Sequence, residues 1–221
     1  MKAAKKYPWK NAPVQLSDEE VENPLQVVAL FFINHKLPTI RKQLLRYLIA
    51  GIKDQHKWKY KKVVDLLYTF QDVERLMEAL WLLRKSGVSC TEADSGGRYG
   101  PHALEIHWSA AVENELAFSE YDETDFYTNN LSQAEERNPY LVINEFFEWQ
   151  DLDAVKSKIS FWCHTALTNP WEYQAMDKVE MADIYQRVNK IVEAAFVLNE
   201  IQLLKNGNKT SIPNTPLQVK V

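Results

Sequence analysis

Glycine is scarce in this chain, with six residues among 221. A β-meander needs many tight turns, and so few glycines argue against one. Cysteine is scarcer still. Cys90 and Cys163 are the only two, which excludes a disulfide framework and points to a reducing compartment. No apolar run approaches the roughly 18 residues of a membrane-spanning helix. The basic opening Met1-Lys2-Ala3-Ala4-Lys5-Lys6 has no apolar stretch behind it, so no signal peptide and a cytoplasmic location are expected. In that setting the glycosylation patterns at Asn130-Leu131-Ser132 and Asn208-Lys209-Thr210 carry no meaning.

What is present is an ordinary globular mixture, 46% hydrophobic and 25% charged, with a net charge of −4. The charge is unevenly placed. Residues 1–86 hold 16 basic and 9 acidic side chains, and residues 87–221 hold 10 and 21. No Lys or Arg lies between Arg98 and Arg137, where Glu113, Glu115, Glu120, Asp122, Glu123 and Asp125 crowd together. The two halves can attract each other, or one of them can meet a charged partner.

Apolar spacing is helical. Val73, Leu76, Met77, Leu80 and Leu83 recur at steps of three and four, on one face of a helix. The chain also resembles itself. Asn23-Pro24-Leu25-Gln26-Val27-Val28-Ala29-Leu30-Phe31-Phe32 parallels the stretch from Asn138 to Phe147 at an offset of 115. At that offset Arg41 meets Lys156, Leu44 meets Ile159, Tyr47 meets Trp162, Glu78-Ala79 meets Glu193-Ala194, and Trp81 meets Phe196. Two separated blocks give 11 identities over 46 positions and keep apolar positions apolar. The expected fold is all-α: an internally duplicated helical bundle of two diverged three- to four-helix units about a pseudo-twofold axis. Its parts are a basic segment (1–16), a first unit (17–86), an acidic irregular insert (87–131), a second unit (132–206) and a polar tail (207–221), making one domain in all.

Each unit opens on an Asn-Pro pair. Asn23 and Asn138 are expected to cap a helix, with Pro24 and Pro139 at its first position. Ser17 and Glu20 have capping-box spacing. A second helix is expected near 39–53 and 153–167, and a last one near 70–86 and 184–205.

The units differ on one face. Leu30, Ile33, Leu45 and Ile49 of the first stand where the second has Glu145, Glu148, Ser160 and His164. An apolar face has to be covered, by the insert, by a second copy of the chain or by a protein partner. Glu145, Glu148 and His164 lack the second Glu-x-x-His unit of a bundle metal site. Cys90, His102 and His107 lack the paired spacing of a zinc site, and they form no more than a nominal Cys/His pair for catalysis. No catalytic residue, metal or cofactor is assigned.

Two further stretches could bind something. In the insert, Ser95-Gly96-Gly97-Arg98-Tyr99-Gly100-Pro101 is not a phosphate loop. It could turn a short β-hairpin between 88–93 and 103–108, and long irregular inserts often carry function. Arg98, Tyr99, His102, Glu105, His107 and Trp108 are therefore the ligand-site candidates. Lys53, Lys57, Lys59, Lys61 and Lys62 alternate with aromatics, a nucleic-acid composition. Trp58-x-Tyr60 returns as Trp171-x-Tyr173 without lysines, which favours structural anchors inside a solvated basic face and makes nucleic acid an unlikely partner. The preferred expectation is a non-catalytic binding or scaffolding module. A small-ligand binder or enzyme using the insert, and a nucleic-acid binder using Lys53–Lys62, are the alternatives.

Overall fold

The computed structural model describes residues 11–53, 58, 60–86, 127–168 and 175–209. Within them the chain is helical, with no strand. The elements are α1 (Asp18–Glu22), α2 (Pro24–Asn34), α3 (Leu37–Ile52), α4 (Tyr60–Lys85), α5 (Gln133–Arg137), α6 (Tyr140–Trp149), α7 (Leu152–Thr168) and α8 (Lys178–Lys209). Adding 115 to the bounds of α1 gives those of α5. The same shift carries the end of α2 to the end of α6, and the start of α3 to the start of α7. The region expected to form a hairpin, 88–93 and 103–108, lies outside the described residues.

Local chemistry explains the starts. Ser17 accepts the amide of Glu20, and the Glu20 carboxylate accepts the amide of Ser17. Ser132 and Glu135 repeat this capping box at α5. Each box satisfies two amides that a short helix would otherwise leave open. The expected asparagine caps are not formed. Asn23 makes no side-chain cap to α2 and instead closes α1, its amide donating to the Glu19 carbonyl. Asn138 closes α5 in the same way, and its Oδ1 is buried without a partner. The capping falls to the serines because each Asn-Pro is the joint between a preceding helical turn and the next helix. Pro24 does begin α2, whereas Pro139 stands just ahead of α6.

The long helices α4 and α8 form the centre. Residues 191–200 of α8 and 76–81 of α4 are buried on every side, as a helix enclosed by neighbours must be. Helix α2 packs on α4, and α6 packs on α8. The shorter helices also cross over: α3 lies mainly on α8 and α7, while α7 lies mainly on α4. Phe32 meets Phe196 edge-on at 5.4 Å, and Phe147 meets Trp81 at 5.1 Å, so each half inserts an aromatic ring into the other. Gly51 permits the close approach of α3 to α8, since a Cβ there would run into Met181 Sδ. Both long helices start earlier than expected, at Tyr60 and Lys178. In the first turns of α4, Leu67 and Tyr68 are exposed, which blurs the one-sided apolar pattern that marks a helix in sequence.

Candidate docking face

The polar groups buried deepest are two glutamates. Glu78 on α4 and Glu193 on α8 are both 0% exposed. Glu78 accepts the amides of Val14 at 3.1 Å and Gln15 at 2.8 Å, and pairs with Lys156 Nζ at 2.5 Å. Glu193 accepts the amides of Asn129 at 3.0 Å and Asn130 at 2.8 Å. It also accepts Asn130 Nδ2 at 2.6 Å and pairs with Arg41 Nη2 at 2.5 Å. Each partner lies 115 residues from its counterpart: Val14 and Asn129, Gln15 and Asn130, Lys156 and Arg41. In these two clamps the cation comes from the opposite half. A third matched pair lies nearer the surface, Arg75 to Glu20 and Lys190 to Glu135. Burial alone would raise the Glu135 carboxyl, but the hydrogen bonds from Lys190 and Ser132 outweigh it and hold it low. The same contact to Glu135 holds Lys190 high.

These carboxylates do not make a reaction centre. Each oxygen of Glu78 and Glu193 already accepts a donor from its own clamp, which is how a buried charge is made tolerable. Cys163 is buried, and desolvation, with the Glu74 carboxylate adding to it, pushes its thiol up to about 12, so it is no thiolate nucleophile near neutrality. Among the described residues no three His, Cys, Asp or Glu side chains gather as a metal site requires. Glu145 instead faces Lys190 at 3.6 Å.

The first unit's apolar positions are exposed. Leu30 is 42% exposed, Ile33 74%, Leu45 43% and Ile49 38%. Leu30 and Ile33 lie on the outer side of α2, opposite its buried Val27, Val28 and Phe31. Leu45 and Ile49 lie one turn apart on the outer side of α3. Their counterparts Glu145, Glu148, Ser160 and His164 are also exposed, so the two halves present equivalent positions with opposite polarity.

The other candidates divide. Arg98, Tyr99, His102, Glu105, His107 and Trp108 lie outside the described residues, as do Lys57 and Lys59. Lys61 and Lys62 fall in the first turn of α4, and Lys53 is exposed at the end of α3. Trp58 is a structural anchor. Its Nε1 donates to the Ala166 carbonyl at 2.7 Å, and its ring lies 6.0 Å from Tyr47. No described helix is long and apolar enough to cross a membrane. No protein-family model matches the chain, and neither the curated proteins nor the solved structures offer a match.

The cross-paired glutamates are the residues that sequence reasoning missed. The signal was there: Glu78 and Glu193 coincide at the common offset, and so do Arg41 and Lys156. An acidic residue inside an otherwise apolar stretch such as Ile191–Leu198 calls for a buried partner.

Proposed function

We propose that this chain is a non-catalytic helical binding module made of two diverged copies of one unit, 17–86 and 132–206, packed about a pseudo-twofold axis. The common offset of helix bounds, capping boxes and glutamate clamps supports the duplication. Copies of one unit share the positions that hold them together and are free to differ where they face outward. The observation that carries the functional reading is the open face of the first copy: Leu30, Ile33, Leu45 and Ile49, against Glu145, Glu148, Ser160 and His164 in the second. Four exposed aliphatic side chains on a unit whose twin is polar there suit a protein partner.

Native mass spectrometry of gently purified full-length chain tests the reading. A mass above the monomer is expected, held by a partner protein or a second copy. It should collapse to the monomer in Leu30→Glu and in Ile49→Glu while the helical circular dichroism is retained. A variant that folds and keeps both its mass and its partner overturns the proposal. So does a wild-type monomer carrying only a small adduct, which would turn attention to Arg98, His102 and His107.

A further inference from the structure

We infer that the outer stripe of α3 is a seat for an acidic amphipathic helix of a partner protein, an inference that rests on the binding-module reading. Helix α3 contains no Asp or Glu in its sixteen residues, LPTIRKQLLRYLIAGI. Its exposed positions are Lys42, Leu45, Arg46 and Ile49, and the exposed Lys53 closes it. These steps of three and four put all five on one face, about 16 Å long at the rise of an α-helix. Arg41 points the other way, into the buried clamp with Glu193. The outward face is therefore an aliphatic centre, Leu45 and Ile49, with Arg46 between them and Lys53 beyond.

The twin helix supplies the contrast. At the same five positions α7 exposes Ser157, Ser160, Phe161, His164 and Thr168. Solvation alone would be satisfied by either set, so the aliphatic and cationic character of α3 is a property of this face and not of the shared fold.

Charge and shape choose among occupants from outside the chain. A second copy docking α3 on α3 would oppose cation to cation. A nucleic acid would use the cations and leave Leu45 and Ile49 facing phosphates and sugars, where aliphatic carbon gains little. A lipid surface needs a broad apolar face to bury, and α3 has only two half-exposed aliphatic side chains between charges. An amphipathic helix with Leu or Phe along one stripe and Asp or Glu beside it satisfies both elements at once: its apolar ridge covers Leu45 and Ile49, and its carboxylates reach Arg46 and Lys53.

The test uses the full chain and a fluorescent sixteen-residue peptide of leucine and glutamate in helical spacing. Its controls are a scrambled version and a version with lysine for glutamate. The Leu-Glu helix should bind, with affinity falling as salt rises from 50 to 200 mM because the flanking charges are screened. Ile49→Glu should weaken it by about tenfold, the scale of losing one interface anchor. Arg46→Glu/Lys53→Glu should weaken it at least as much and bind the lysine version instead. Ser160→Glu/His164→Glu on α7 should change nothing. Should the charge-reversed variant fail to fold, Arg46→Gln/Lys53→Gln is read in the same way. Binding no tighter than that of the scrambled peptide, or binding unaffected by these α3 variants, overturns the proposal. So does a preference for phosphatidylserine vesicles or duplex DNA that is lost with Arg46 and Lys53. If Leu30→Glu still releases a partner in native mass spectrometry while the peptide fails, the binding-module reading stands and the acidic occupant falls. If neither responds, both fall.

Discussion

Replacing Arg41 with Met removes the charge that faces Glu193 and keeps most of the side chain's volume. The carboxylate is left fully buried with three neutral donors, the amides of Asn129 and Asn130 and the Asn130 side chain. Breaking a buried ion pair from one side costs about 3–5 kcal/mol. The three remaining donors place this case at the lower end, about 3 kcal/mol. For a chain of this size that corresponds to a fall in melting temperature of about 6–12 °C. Lys156→Met should cost as much or more, because Glu78 keeps only the amides of Val14 and Gln15. Urea titrations of Arg41→Met, Glu193→Gln and the double variant complete a cycle. The coupling should be about 2 kcal/mol or more, with the double variant less damaged than the sum of the singles. A loss below about 1 kcal/mol, the value of an exposed pair, would mean that water reaches Glu193 and would refute the clamp.

Other outcomes follow from the same packing. Because α3 rests on α8, and α7 on α4, neither half buries its own core; residues 1–86 and 127–221 expressed separately should lack cooperative melting and regain helicity when mixed, as circular dichroism would detect. Burial raises the Glu74 carboxyl, partly offset by the Gln15 hydrogen bond and by Lys156, with the neighbouring Glu78 raising it further. An unfolded chain ionises that group first as pH climbs, so Glu74 lowers stability above the ordinary carboxylate range, and Glu74→Gln should be neutral or stabilising at pH 7 where Glu78→Gln is costly. Cys163, pushed up to about 12, should resist a thiol reagent at pH 8 in a Cys90→Ser chain and react at once in denaturant; above roughly pH 9 the unfolded thiolate favours unfolding, so the same chain should lose stability as pH rises further.

The α class is legible in local pattern. Leu37, Ile40, Leu44 and Tyr47 are spaced for one buried helical face, and Ser17 with Glu20 announces a helix start. The Ser132–Glu135 box is equally legible beside the Asn138-Pro139 pair. Asn23 failed as a cap because a residue that closes one helix has its backbone committed there, a competition visible only once α1 exists. The starts of α4 and α8 lie earlier than apolar periodicity places them, because their first turns expose apolar side chains and so lack the contrast that marks a helix.

The sequence by itself determined that the chain is helical, that its two stretches keep a common register, and that Leu30, Ile33, Leu45 and Ile49 break the likeness between them. All of this depends on neighbours three or four residues apart, or on comparison of like with like. Only the tertiary structure decided that Arg41 answers Glu193 and Lys156 answers Glu78. Those partners lie 152 and 78 residues apart, and what brings them together is the crossing of α3 and α7 onto the opposite half's long helix. No local periodicity encodes that crossing, because either half's own glutamate would have satisfied the same cation equally well in sequence.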